Sequence, residues 1–304
     1  MGVNTEMSDT YIIILNYNNL EDTISCIDSV INTQDYNPII VLVDNGSSTA
    51  CVNSLQEYIE QEKKTDIVFI KNKDNVGYAA GNNIGIRYAI DHNAKYIVVL
   101  NNDVIVNKDS IQKCIAYLEN HQNVAIVGPA ILEVEGDIIQ STGANINYLK
   151  CSSDLIDNGK KYKISEKVVE CDYVGGACMV FRPTIVNDIG LIPEVYFLFW
   201  EEAEWCVHAK KHGYGVVCLL NSFVRHKGSA TIKKTTGMSA YYMERNKVIF
   251  LRRNAKFPIQ VLGVSYLFFR SWVKGITRNK DYITFSKYYI DGIIGKDMMK
   301  ESLK

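Results

Sequence analysis

The eight cysteines of this chain (Cys26, Cys51, Cys114, Cys151, Cys171, Cys178, Cys206 and Cys218) form no CxxC pair and no dense framework. That excludes a disulfide-stapled small fold, and because several fall in apolar runs they read as reduced, buried thiols of a cytosolic protein. An apolar leader is missing as well. The first ten residues, MGVNTEMSDT, carry acids and no hydrophobic stretch, so no secretory signal is expected. Long hydrophobic runs are also lacking. The best candidate, Phe257 to Phe269, has 13 residues, is interrupted by Gln260 and stops at Arg270, whereas a crossing helix needs about 20. There is no internal repeat, no low-complexity linker, and no G-x-G-x-x-G after the first strand, which removes the dinucleotide fingerprint. The expectation is a cytoplasmic protein, soluble or peripheral at the inner face of the cell membrane. Its 304 residues suffice for one large domain with an appendage.

Net charge is nearly absent from the whole, at −1, but not from its parts. Residues 238–304 hold 13 Lys and Arg against 5 Asp and Glu, a net of +8, which leaves −9 for the rest. A basic tail on an acidic body implies an anionic partner such as a membrane surface, and no nucleic acid is expected.

What is present is a repeating pattern of short apolar runs that end in polar residues. YIIILN (11–16) runs into Tyr17-Asn18-Asn19, IIVLV (39–43) into Asp44-Asn45-Gly46, and DIVFI (66–70) into Asn72-Lys73-Asp74-Asn75. Tyr96 to Leu100 runs straight into Asn101-Asn102-Asp103. Helical spacings lie between them, such as Ile24, Ile27 and Ile31. Short β-branched runs of this kind read as strands buried on both faces, and their alternation with helices implies a doubly wound parallel sheet. A buried strand cannot hold an ionised Asp in its middle, so Asp103 belongs where the chain leaves the sheet. Asn16 to Asn18, Asp44 and Asp103 then converge on the carboxyl edge, where open α/β sheets bind ligands. Asp103 is equally readable as a cap for the next helix.

Gly77, Gly81 and Gly85 recur every fourth residue, which lets a helix pack close to a sheet or a ligand. A helix is expected over about 108–120 and a strand at Val124 to Val127. Residues 131–170 read as irregular strands, and Asp172 to Arg182, with Gly175-Gly176 inside it, as one apolar strand. Glu201, Glu202 and Glu204 crowd into four residues beside Trp200 and Trp205. They suit either the start of a solvated helix or an active-site carboxylate cluster. His226, in a turn after a strand, is either structural or a ligand for metal or phosphate.

Taken in order, the blocks LNYN, VDNGS, NVGYAAGNN, LNND, GGACMVFR, FLFWEEAEWC and HKGSAT resemble the family 2 inverting glycosyltransferases, in particular their rhamnosyltransferase-like branch. The resemblance covers roughly residues 10–255. It implies the GT-A fold, a Rossmann-like α/β body with a mostly parallel central sheet and flanking helices. Residues 1–237 would form the catalytic domain, and 238–304 a basic, aromatic-rich helical appendage. It implies that Tyr17, Asn18 and Asp44 line the base and ribose pocket, and that Asn75, Gly77 and Asn82 sit by the donor's ribose and pyrophosphate. Asn102-Asp103 stands at the DxD-type metal motif, with His226 as a further ligand for Mg²⁺ or Mn²⁺. Glu202 would be the catalytic base, with Gly176, Trp200 and Glu201 binding substrate and Trp200 stacking on a sugar ring. The implied partners are a nucleotide-sugar donor, of dTDP-rhamnose or UDP-sugar type, and a saccharide or lipid-linked saccharide acceptor of bacterial surface polysaccharide.

Two departures stand out: the metal motif has one acid, and the base position carries Glu where Asp is usual. They keep open a weakly active or inactive sugar-nucleotide-binding subunit. A sugar-nucleotide pyrophosphorylase would want a Gly-rich, basic loop after the first strand, and LNYNNLED lacks one. The tail admits two readings, an amphipathic basic helix on an anionic membrane or a packing surface for the core or a second copy in a homodimer.

Overall fold

The computed structural model describes residues 9–33, 37–62, 66–228, 236–278 and 281–297. The first hundred residues alternate as expected: β1 (Thr10–Asn16), α1 (Leu20–Thr33), β2 (Ile39–Asp44), α2 (Thr49–Gln61), β3 (Ile67–Lys71), α3 (Tyr78–Asp91) and β4 (Tyr96–Asn101). These four strands are parallel, in the order β4-β1-β2-β3. Leu15 lies opposite Asn101, and Asn16 opposite Asp44. The strands therefore end level, and their polar residues share one edge.

The second half departs from simple alternation. After β4 come β5 (Val104–Val106), α4 (Ser110–Asn120) and β6 (Val124–Leu132). Residues 131–170 supply the short strands β7 (Ile139–Ser141), β8 (Ala144–Asn147), β9 (Ser152–Leu155) and β10 (Val168–Glu170). The stretch read as one strand from Asp172 to Arg182 is a strand only over β11 (Cys178–Phe181). It enters between β4 and β6 antiparallel to both, with Cys178 opposite Leu100. The reversal has a consequence for the site. A strand running against β4 must begin where β4 ends, so Gly175-Gly176-Ala177 is delivered to the edge that holds Asp103. After α5 (Ile185–Ile189) and α6 (Glu201–Lys211), β12 (Gly215–His226) runs parallel to β6 and pairs antiparallel with β5, His226 opposite Val104. The sheet is mixed, in the order β10-β12-β6-β11-β4-β1-β2-β3.

Side chains alternate across the strands, so the sheet faces two cores. Ile13, Val41, Val43, Ile97, Val99, Met179 and Phe181 share one core with α3, α6 and the C-terminal helices. Ile12, Ile14, Ile40, Leu42, Val98 and Val180 share the other with α1, α2 and α4. Each such side chain contributes about 1.5–3 kcal/mol by leaving water. Gly81 and Gly85 serve this packing. A Cβ on them would come within 2.5 Å of Leu15 and Ile13, so α3 lies against β1 only because both side chains are missing.

Among the described residues, three helices follow β12: α7 (Thr236–Asn254), α8 (Phe257–Thr277) and α9 (Asp281–Ile294). Val248, Ile249, Phe250 and Leu251 of α7 enter the first core together with Leu267 and Tyr289. Among the described residues, no helix is long and apolar enough to cross a membrane. Ser229 to Thr231 of the expected HKGSAT block lie outside the described residues.

Candidate active site

The shared edge carries a crevice of about 380 Å³. Its walls come from Tyr17 after β1, Asn45, Asn75, Gly77 and Tyr78 around the start of α3, Asn101 to Asp103 after β4, and Gly175 to Ala177 before β11. Phe197 to Phe199, Glu201, Glu202, His226 and Met238 close it. Residues from Leu15 to Met238 thus meet because the strand register brings their termini level.

Of the residues expected to hold a nucleotide, Tyr17, Asn75, Gly77, Asn102 and Asp103 line this crevice, whereas Asn18, Asp44 and Asn82 do not. Asp44 is buried, each of its oxygens accepting one bond, from Asn16 Nδ2 at 2.8 Å and from the Ser47 amide at 3.0 Å. Asn18 is exposed, with φ 50°, and its amide and side chain bond Ser47 Oγ and the Ser48 amide, both at 2.8 Å. Asn82 is buried and donates to the Tyr78 carbonyl at 3.0 Å, while its Oδ1 has no partner. Asn45 was not singled out by sequence reasoning, although VDNGS contains it. Its Nδ2 donates to Asn75 Oδ1 and to the Gly77 carbonyl, and its Oδ1 accepts from Asn72 and from the Val76 amide. It moulds the loop before α3. Gly77 sits at φ 91°, where a Cβ would fall 2.6 Å from the Phe197 carbonyl oxygen. Only glycine allows that approach.

The second group is built around Asp103. Asn102 donates to Thr23 Oγ1 at 2.9 Å, which fixes the turn after β4. His226 Nε2 lies 3.2 Å from Asp103 Oδ1, and both side chains are mostly buried. Gln140 of β7 orients the imidazole. Its Nε2 donates to the His226 carbonyl at 2.7 Å and to Glu133 at 3.0 Å, which leaves Oε1 facing Nδ1 at 3.0 Å. A neutral ring then carries its proton on Nδ1 and turns the Nε2 lone pair toward Asp103. Two acceptors facing each other need a proton or a cation. Cis ligands about 2.1 Å from an octahedral Mg²⁺ or Mn²⁺ would be about 3 Å apart, close to the spacing seen. No cluster of three or more metal-ligating side chains occurs among the described residues. A pair suits a hard cation that completes its shell with water and substrate phosphate. Gln140 carried no sequence signal, since it lies in an irregular stretch and acts only through the ring it holds.

Glu201 and Glu202 open α6 on the opposite wall. Glu201 is buried, and one oxygen of each carboxylate, Oε2, is buried without a hydrogen-bond partner. Burial pushes both carboxyls above their ordinary range, and the Glu202 charge raises Glu201 further. Backbone amides of Glu202 and Ala203 partly offset the burial at Glu202. Beside them Tyr78 donates to the Gly176 carbonyl at 2.8 Å, and burial, aided by Glu202, keeps its phenol protonated. Glu204 is engaged differently. It is fully buried and accepts from Tyr196 (2.5 Å), Arg253 (2.7 Å) and Asn254 (2.8 Å), which ties α6 to α7.

The turn that aims these acids is strained. Phe199 and Trp200 take φ of 70° and 78°, left-handed values that bulky residues rarely adopt. Asn246 of α7, itself fully buried, donates to the carbonyls of Leu198 (2.8 Å) and Phe199 (3.1 Å) and holds the turn. Trp200 is not among the crevice residues. Its ring packs on Phe250 at 4.8 Å, and the crevice is lined instead by the aromatic rings of Tyr17, Tyr78, Phe197 and Phe199.

Comparison with known proteins bears on the family and the fold. The family described as Glycosyl transferase family 2 matches residues 11–187. A low-salt glycan biosynthesis hexosyltransferase, Agl10 of Haloferax volcanii, is 27% identical over 86% of this chain and 81% of its own length. A dTDP-rhamnosyl transferase, RfbF of Shigella flexneri, is 22% identical over 81% of each chain. Among solved structures, the mannosyltransferase PcManGT of Pyrobaculum calidifontis, in complex with GDP-Man and Mn²⁺, superposes with a TM-score of 0.58 at 12% identity, covering 94% of this chain and 86% of that one. GalNAc-T7 with UDP, GalNAc and Mn²⁺ gives 0.62 at 14% identity, covering 81% and 51%. The fold is GT-A, and the chain belongs to glycosyl transferase family 2.

Proposed function

We propose that the protein is an inverting hexosyltransferase of glycan or surface-polysaccharide synthesis, moving a sugar from a nucleoside diphosphate donor to a saccharide acceptor, free or lipid-linked. Glu202 is the base. Its carboxylate takes the proton of the acceptor hydroxyl as that oxygen attacks the anomeric carbon, while the bond to the diphosphate breaks and its electron pair leaves with the phosphate. Asp103 and His226 hold Mg²⁺ or Mn²⁺, which when bound neutralises charge on the leaving diphosphate. Tyr17, Asn75, Gly77 and Asn102 contact the donor, and Gly176 and Glu201 the acceptor side. The matched hexosyltransferase and rhamnosyl transferase support this transfer class. A dTDP- or UDP-linked donor is the working choice. Residues 1–237 supply the proposed catalytic groups, and 238–304 form an appendage whose first helix, α7, closes the crevice with Met238 and whose remainder keeps the enzyme at the inner face of the membrane.

One observation carries the assignment of the base. Of the three acids, Glu202 is the one that lines the crevice without being buried: Glu201 lines it but is buried, and the buried carboxylate of Glu204 is occupied by Tyr196, Arg253 and Asn254. Glu202→Gln should lower kcat by roughly 10²–10⁴-fold with donor affinity little changed. Nucleotide-sugar turnover and isothermal titration on the same preparation test it. A variant within a few-fold of wild type would move the base elsewhere. The lone acid of the metal motif supports the second reading, a binding subunit, which would show nucleotide binding and no turnover in the wild type.

A further inference from the structure

Thr23, in the first turn of α1, is fully buried and is not among the crevice residues, yet it meets both ends of the site. Its Oγ1 accepts from Asn102 Nδ2 at 2.9 Å, which holds the residue next to Asp103. The hydroxyl has one proton to give and two acceptors within reach, the Asn19 carbonyl at 2.6 Å and Asn16 Oδ1 at 3.0 Å. Both belong to segment 16–19, which carries Tyr17 into the crevice. Either choice of acceptor therefore ties Asn102 to the chain around Tyr17.

From Asn16 the contacts run on to the end of β2. Its Nδ2 donates to Asp44 Oδ2 at 2.8 Å and to Ser47 Oγ at 3.1 Å, and the Asn18 amide donates to the same Ser47 oxygen at 2.8 Å. One hydrogen-bonded chain thus joins the ends of β4, β1 and β2, and its middle members, Thr23 and Asn16, are fully buried. Such a chain is rigid, because a bond broken there has no water to replace it.

A second set of contacts shows that α1 holds the chain around Asp103 as a splint. Thr23, Cys26 and Ser29 are spaced by three, on one helical face. Cys26 Sγ donates to the Asn101 carbonyl at 3.4 Å, and Ser29 Oγ accepts from the Val106 amide at 3.0 Å. The Lys227 amide donates to the Asp103 carbonyl at 3.0 Å, while the Lys227 ammonium pairs with Asp22. Asp22 and Thr23, adjacent in one helical turn, therefore hold Asp103 through Lys227 and through Asn102. That grip sets where the Asp103 carboxylate stands relative to His226, 3.2 Å away.

We propose that Thr23 is a positioning residue that couples the two ends of the donor site. Through it, a cation at Asp103 and a nucleoside beside Tyr17 each order the segment that the other needs. The inference rests on the donor and cation sites proposed above, and adds a route between them that does not pass through the diphosphate.

The test measures binding, not turnover. Kd for UDP, and for dTDP in parallel, is determined by isothermal titration on the full-length protein in Mn²⁺ and in EDTA, and the ratio of the two values is the coupling. Thr23→Val keeps the shape of the side chain and removes the hydroxyl. The ratio should fall roughly tenfold or more, the usual effect of losing a group that orients a metal ligand. Thr23→Ser keeps the hydroxyl and should keep most of the ratio. A Val variant with lower thermal stability and an unchanged ratio would make Thr23 a structural residue only. Equal loss in the Ser variant would give the effect to the methyl group. Either result overturns the inference. Hydrogen exchange on the wild type, read by mass spectrometry, decides the question if the Val variant does not fold. Mn²⁺ alone should slow exchange in segment 16–19, where the Asn18 and Asn19 amides are bonded into the network. Uridine, which has no phosphate for a cation to bind, should slow exchange in segment 101–104. Protection confined to the segment each ligand touches would sink the coupling. A wild type with the same Kd in Mn²⁺ and in EDTA, or one that binds neither nucleotide, would remove the proposed cation or donor site itself. Coupling that survives Thr23→Val removes only the route through Thr23.

Discussion

Glu201 and Glu202 are adjacent acids, yet burial raises the proton affinity of both, and the charge of Glu202 adds to that of Glu201. The direction of the shift fixes two pH dependences of opposite sense. A base works only when ionised. With Glu202 raised above its ordinary 4.5, kcat should climb with pH through a midpoint above that value and be lost below it. A kcat profile at saturating donor tests this, and a midpoint at or below the ordinary value would show that the acid limb is not this carboxyl. Stability runs the other way. Glu201 holds its proton to higher pH folded than unfolded, so its favourable term is complete below the unfolded pKa and disappears as pH rises through the folded one. Each tenfold of added proton affinity then costs about 1.4 kcal/mol at high pH. Glu201→Gln removes the ionisation, and should resist urea better than wild type at pH 8 and no better at pH 4. A variant weaker at both would mean that backbone hydrogen bonds to the carboxylate outweigh burial.

The strand-to-helix elements show which parts of the site a sequence can reveal. Strands β1 to β4 and the polar residues at their ends were legible, because buried parallel strands are nearly uniform apolar runs and their ends are marked by Asn and Asp. The antiparallel entry of β11 was not. CMVF reads the same in either direction, and only the pairing with Leu100 brings Gly176 to the crevice. A run of letters does not show that Asp44 accepts from Asn16 and Ser47, or that the Trp200 ring packs on Phe250. The clamp from α7 was equally hidden, since Asn246 lies 47 residues from the Phe199 carbonyl it holds. That clamp is testable. Asn246→Ala strips two part-buried carbonyls of their donor, at up to about 1–3 kcal/mol each, and frees the left-handed turn that aims Glu202. Asn246→Asp puts a carboxylate against the same carbonyls and should be worse. Both should lower kcat more than they raise KM for donor, with the pH midpoint of kcat displaced because the Glu202 environment has changed. Loss of thermal stability with kcat and its pH midpoint untouched would make Asn246 a packing residue only.

At the scale of the whole molecule, the crevice joins residues from Leu15 to Met238, so a ligand there links the two halves of the sheet and the first C-terminal helix. Binding to the folded state alone adds RT ln(1 + [L]/Kd), about 2.7 kcal/mol at a hundredfold excess over Kd. For a chain of this size that is a rise in Tm of roughly 5 °C. The two halves of the ligand are not independent. Under the proposed assignment a diphosphate brought to this edge alone would meet the Asp103 carboxylate, and a cation alone would have Asp103 and His226, 3.2 Å apart, as its protein ligands. Together they complete each other's shells. Mn²⁺ and a nucleoside diphosphate added together should therefore raise Tm by more than the sum of their separate effects, and EDTA should abolish the excess. Asp103→Ala and His226→Ala should lose the excess entirely. Gln140→Leu should lose part of it, because the imidazole keeps its place but not the hydrogen bond that sets its tautomer. Equal nucleotide stabilisation in EDTA and in Mn²⁺, or an undiminished excess in Asp103→Ala, would remove the cation from this pair and leave the 3.2 Å contact as an ordinary imidazolium–carboxylate ion pair.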